Sequence, residues 1–188
     1  MNEESIKKIL KSRLLEKRYI HSLNVMEMAV RLAKLNDVNE EEARFAGLLH
    51  DCAKNYTNEE LINYCVENNI KVDDIKRNSP GMLHAEVGAD IAAKEFGANE
   101  NIVQSIRNHT LANSVMTKLD KIIYVSDLIE EGRELEGVER IREIALADLD
   151  KGYVESLKYC IDNVKEMGKE VHPQSIEALK VAVSTKDI

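Results

Sequence analysis

The run Ala46-Gly47-Leu48-Leu49 is apolar and ends abruptly in His50-Asp51, with Lys54 three residues further on. An ionised carboxylate survives in apolar surroundings only when it is paired or bound to a metal. The chain therefore has to supply partners. Metal-capable side chains recur at His21, His84, His109 and Asp127. Like His50, each continues an apolar stripe at i+3 or i+4: His21 with Val25, Met28 and Leu32; His84 with Val87 and Ile91; His109 with Ile102 and Ile106; Asp127 with Leu119 and Ile123.

Taken singly, each is weak, because a histidine ending an apolar stripe is more often a hydrogen-bonded core residue and a helical aspartate is usually solvated. Their coincidence is what counts. Several helices that turn polar, metal-capable side chains into one interior need something there to satisfy them. Four imidazoles and two carboxylates with no thiolate suit iron, manganese, cobalt or zinc, and not a Cys-rich structural zinc. Six ligands exceed one open catalytic site but fit two metals that share a bridging carboxylate. Such a pair, about 3.5–4 Å apart, clamps the attacking and leaving oxygens in phosphoester cleavage.

The elements that must position these side chains are helices. Periodicity predicts helices over about Glu4–Leu15 and Glu16–Leu35, and then one capped by Asn39, with Glu40, Glu41 and Glu42 in its first turn. Thr57-x-x-Glu60 is a capping box opening a helix to about Asn68. The polar stretch from Asn68 to Gly81 reads as turn and loop. Further helices are expected over His84–Phe96, from Asn99 or Asn101 to His109, over Thr117–Glu131, Val138–Ala147 and Leu149–Met167, and from Gln174 to Val183 after Pro173. The fold class is all-α, as a single domain over 1–188 with its core at about 17–135 and C-terminal helices packed on it.

Composition narrows the function. The chain has 188 residues, 32% charged and 44% apolar, which is an ordinary globular balance. A net charge of -8 argues against nucleic acid as a partner but leaves room for a small anion, since local cations can reverse the field in a cleft. Three cysteines without paired spacing, a charged amphipathic N-terminus and no long apolar window predict a reduced cytoplasmic protein that meets no membrane. The sequence does not fix an oligomer, and a homodimer is admitted as a partner state. No P-loop or GxSxG motif is present.

The order His21, His50-Asp51, Asp127 resembles the HD-domain metal-dependent phosphohydrolases, helical bundles in which H…HD…D carries the first metal, with His84 and His109 similar to the subset that holds a second. Ala46-Gly47-Leu48-Leu49-His50-Asp51, Lys54, Leu83-His84, Gly88-Ala89, His109-Thr110, Met116, Ile122-Ile123-Tyr124-Val125-Ser126-Asp127, Ile129-Glu130, Gly132-Arg133 and His172-Pro173 are similar to the YqeK family. Its members are bacterial bis(5'-nucleosyl)-tetraphosphatases that split diadenosine tetraphosphate symmetrically into two ADP. The chain departs from that family at Leu111-Ala112, where a threonine and a glycine are usual, and at Asn108, Ser126 and Glu131.

The resemblance implies that His21, His50, Asp51 and Asp127 hold one metal, and that Asp51 bridges to a second held by His84 and His109. Two divalent or mixed-valence ions are implied, iron first and manganese, cobalt or zinc as alternatives, with a shared hydroxide attacking phosphorus. Asp51, Lys54 and Arg133 are the catalytic candidates, and Arg18, Lys54, Thr110 and Arg133 the substrate-binding ones. The Glu-rich stretches 40–42 and 130–136 read as solvated helix ends, with a place behind the ligands left open for Glu130, and His172 reads as the residue before the last helix. Two other readings remain open: hydrolysis of another nucleotide, motivated by the altered loop after His109, and a non-catalytic metal- or nucleotide-binding signalling module.

Overall fold

The computed structural model describes residues 2–184, and the described residues form eleven α-helices, one short 3-10 helix and no strand. In chain order the helices are α1 (Glu3–Arg13), α2 (Glu16–Leu35), α3 (Glu40–Leu49), α4 (Asn58–Glu67), α5 (Asp74–Asn78), α6 (His84–Phe96), α7 (Glu100–Asn108), α8 (Lys118–Ile129), α9 (Val138–Ala147), α10 (Leu149–Glu166) and α11 (Pro173–Ser184). The all-α expectation holds.

Caps set most of the boundaries. Asn39 accepts from the amides of Glu41 and Glu42, and Asn99 from that of Ile102, so each satisfies donors the first helical turn leaves free. Thr57 with Glu60 and Thr117 with Asp120 close reciprocal capping boxes on α4 and α8. Gly97 ends α6 in the left-handed region, at φ 66°.

Two expectations need correction. The stretch between Asn68 and Gly81 is not all loop, because Asp73 caps α5 and Pro80 opens the 3-10 helix Pro80–Leu83. Both pieces are too short for periodicity to reveal. Likewise α8 stops at Ile129, not Glu131. Glu130 adopts φ -54°, ψ 156° and turns its side chain back into the protein, while Arg142 of α9 binds the freed carbonyls of Ile129 and Glu130 at 2.6 and 2.9 Å.

The helices that carry the site pack closely. Gly47 brings α3 against α2 so tightly that a Cβ there would lie 2.9 Å from the Met26 Cα. α8 runs through the middle, against α2, α3, α7 and α10, with Ile122, Ile123 and Val125 fully buried. α11 holds down the loop after α7: Ser175 Oγ donates to the Leu111 carbonyl at 2.6 Å, and the Gln174 amide donates to that of Ala112. Ala112 itself sits at φ 59°, a conformation that costs an L-residue about 1–2 kcal/mol. That is the physical reason a glycine suits this position.

Candidate metal centre and substrate cleft

The six proposed ligands come from five helices and meet in one place. His21 lies on α2, His84 opens α6, and Asp127 lies on α8. His50 and His109 are the residues that end α3 and α7, and Asp51 follows His50 into the next turn. The imidazoles form a row, with ring centroids 5.2 Å apart for His21–His50, 5.1 Å for His50–His109 and 5.0 Å for His84–His109.

Local backbone geometry fixes the tautomers. Nδ1 of His50, His84 and His109 lies 2.7, 2.6 and 2.6 Å from the carbonyl three residues earlier, those of Gly47, Gly81 and Ile106. A carbonyl can only accept, so Nδ1 carries the hydrogen and the Nε2 lone pair faces inward. His21 Nδ1 donates instead to Glu130 Oε1 at 3.1 Å. Oε2 of the same carboxylate accepts from Asn24 Nδ2 at 2.8 Å and from the Gly132 amide at 2.5 Å. Such partners orient metal-ligating imidazoles and raise their basicity.

Asp51 is 1% exposed, and its two oxygens address different neighbours. Oδ2 lies 3.4 Å from His50 Nε2 and 3.8 Å from His21 Nε2; Oδ1 lies 3.2 Å from His84 Nε2 and 3.6 Å from His109 Nε2. Asp127 Oδ1 joins the first set, 3.0 Å from His21 Nε2 and 3.8 Å from His50 Nε2. Burial opposes charge on Asp51, yet the facing imidazoles hold its carboxyl well below the usual carboxylate range. Asp127 is also held far down, with burial working against charge and His21 and His50 outweighing it. Burial and the neighbouring imidazoles lower the pKa of His109; at His50, burial lowers it but Asp51 and Asp127 raise it more.

This donor set fits divalent cations. His21 Nε2, His50 Nε2 and Asp51 Oδ1 are buried without hydrogen-bond partners. The Nε2 lone pairs of His84 and His109 face each other at 3.1 Å, a separation at which two acceptors need a proton or a cation between them. Groups of three ligand atoms lie within 4.8 Å of one another for His21, His50 and Asp127, and for His50, Asp51 and His109.

The proposed substrate residues ring the centre. Lys54 Nζ donates to His84 Nε2 at 3.1 Å and lies 3.7 Å from Asp51 Oδ1. Thr110 Oγ1 is 3.2 Å from Nε2 of both His84 and His109. Arg18 Nη1 is 2.6 Å from Asp51 Oδ2, and Arg133 Nη2 is 2.7 Å from Asp127 Oδ1. A cleft of about 660 Å³ opens here, its wall including Lys17, Arg18, His21, Lys54, Glu130 and Arg133. An acidic chain thus presents four cations at one opening. A separate cavity of about 360 Å³ beside α10 and α11 holds none of the candidate ligands.

His172 stays apart from the centre and pairs with Asp73 at 3.1 Å. The thiol of Cys52, near the centre in sequence, is buried and pushed up to about 12, which leaves it inert as a nucleophile. Sequence reasoning undervalued Glu130 and missed Lys17. Glu130 lies three residues after Asp127, a spacing that in a continuing helix would put both on one face, and that spacing was the available signal. Lys17 had none, being one more lysine in a charged segment.

An all-helical protein that gathers four imidazoles and two carboxylates into one interior belongs to the metal-binding class. Residues 18–184 match the HD domain, and the chain is a member of the HD-domain family. It is 34% identical to a Bacillus subtilis protein and 35% identical to one from Staphylococcus aureus, each named bis(5'-nucleosyl)-tetraphosphatase, symmetrical. The matches cover 93% and 95% of this chain, and 94% and 93% of those proteins. A crystal structure from Clostridium acetobutylicum, described as a predicted HD superfamily hydrolase involved in NAD metabolism, superposes with a TM-score of 0.95 at 38% identity, over 98% of both chains.

Proposed function

We propose that this protein is a metal-dependent hydrolase that cleaves diadenosine tetraphosphate symmetrically into two ADP, with iron as its metal. The observation that carries the reading is the division of the Asp51 carboxylate between two sets of inward Nε2 lone pairs. Relatives of that name, matched over nearly the whole chain, supply the substrate.

His21, His50, Asp51 and Asp127 would hold one cation, and Asp51, His84 and His109 the other. Bound there, divalent cations supply Lewis-acid polarisation of a phosphoryl oxygen and lower the pKa of water. The protein's own part is positioning. Nδ1 hydrogen bonds lock the ring faces and keep the neutral imidazole's proton on the outer nitrogen, which turns the Nε2 lone pairs inward. Lys54 and Thr110 stand where a phosphate would enter, and Arg18 and Arg133 each keep guanidinium donors beyond those given to Asp51 and Asp127. The overall change is hydrolysis of the central anhydride: water adds its oxygen to one inner phosphorus, the bridging P–O bond breaks, and the departing oxygen stays with the second ADP.

Of the altered residues Ala112 is fully buried, and Leu111 lines a smaller cavity beside Thr110 rather than the cationic cleft. Incubation of iron- or manganese-loaded protein with diadenosine tetraphosphate, followed by chromatographic separation, is expected to give ADP alone. AMP with ATP, or no turnover with either metal, overturns the proposal. Metal analysis of anaerobically purified protein tests the choice of iron. No helix among the described residues is long and apolar enough to cross a membrane, in keeping with a small-molecule substrate met in the cytoplasm.

A further inference from the structure

The start of α2 carries a side chain that the fold does not account for. Leu15 occupies the N-cap, at φ -61° and ψ 146°, and makes no side-chain bond to the helix. Ser, Thr, Asn and Asp are favoured there because their oxygens accept from the first-turn amides. In this protein α1, α3, α4, α7, α8 and α10 all begin with such a residue, and in each case it makes that bond. Nor is Leu15 core, being 72% exposed, and Ile20 in the same helix is 49% exposed. Both belong to the wall of the cleft that holds Lys17, Arg18, Lys54 and Arg133, and they are its only aliphatic side chains.

The geometry points to Leu15 and Ile20 as an apolar shelf for the nucleobase of the substrate, beside the cations that take its phosphates. This rests on the reading of the site as a dinucleoside polyphosphate hydrolase. A nucleotide has one polyanionic end and one flat, largely apolar face, and the cleft offers cations and aliphatic surface side by side. Covering the two side chains with a base removes apolar area from water and ties affinity to the nucleoside rather than to phosphate alone. Local helix chemistry is sacrificed at Leu15 with no return in folding, the pattern expected where a residue is kept for binding.

Calorimetric titration of metal-loaded protein with ADP and with pyrophosphate tests this in wild type, Leu15→Ser, Ile20→Ala and the double variant. Folding is protected in both cases, since serine adds a capping oxygen and alanine raises helix propensity, so Tm should stay level or rise. The double variant is expected to weaken ADP binding about tenfold while pyrophosphate changes by less than about twofold, and Leu15→Met to keep ADP affinity. Equal losses for both ligands, or unchanged ADP binding, overturn the shelf. A shift from dimer to monomer with unchanged ADP affinity also overturns it and assigns the two residues to a second copy of the chain. If wild type fails to produce ADP from the dinucleotide, the hydrolase reading falls, while the comparison of ADP with pyrophosphate still decides the shelf.

Discussion

At the scale of single residues, the centre depends on what stands behind its ligands. Glu130 accepts from His21 through one oxygen and from Asn24 and Gly132 through the other. In Glu130→Gln the amide nitrogen must face either His21 or the Asn24–Gly132 pair, and donor then meets donor. Metal affinity at the first set is expected to fall about ten- to hundredfold, measured by metal titration, with little change in helical content. The ligands themselves were legible in the sequence because each extends an apolar stripe and none has an apolar role. Their division into two sets could not be read from spacing and came from the family resemblance alone. Which Asp51 oxygen meets which imidazole depends on how the ends of α3, α6 and α7 are brought together, and no spacing along the chain encodes that.

At the scale of elements, close approach sets the geometry. Gly47 lets α3 lie on the backbone of α2, and its carbonyl anchors His50. Because the atoms a Cβ would meet are backbone, Gly47→Ala must separate the helices, at a cost of about 2–3 kcal/mol; urea melts should show this together with weaker metal binding. α4 is held on α6 by Tyr64 Oη donating to Asp90 Oδ2 at 2.7 Å, with Lys94 also 2.7 Å from that oxygen. Burial opposes charge on Asp90, but Lys94 and Tyr64 outweigh it and its pKa is lowered. A depressed carboxylate contributes stability in full above its unfolded pKa, near 4, and loses it as pH falls through the folded value. Asp90→Asn should therefore cost about 1 kcal/mol at neutral pH and flatten the acid limb of the stability curve, as followed by circular dichroism. Helices of ten or more residues could be read from apolar period and caps, α2 and α6 to their last residue. The five-residue α5 could not, since a single turn held by Asp73 has no period to detect.

At the scale of the whole molecule, charge is distributed against its sum. The chain carries a net charge of -8, yet Lys17, Arg18, Lys54 and Arg133 share one cleft. A polyanion is repelled at long range and attracted at short range, and salt acts differently on the two. The Debye length shrinks from about 30 Å at 0.01 M to about 8 Å at physiological ionic strength, so salt first removes the repulsion of the distant acidic surface. Arg18, Lys54 and Arg133 already face Asp51 or Asp127, which leaves Lys17 as the cleft cation with the most free charge toward solvent. If the local cations dominate, KM for the dinucleotide should rise several-fold over that range with kcat nearly constant, because phosphate recognition is screened and the buried chemistry is not. Lys17→Gln should then flatten the salt dependence, while Lys158→Gln, an exposed lysine of α10 outside the cleft wall, should leave it alone. A KM that falls with salt would instead mean that the acidic surface governs approach, and that the four cations count only after the substrate has docked.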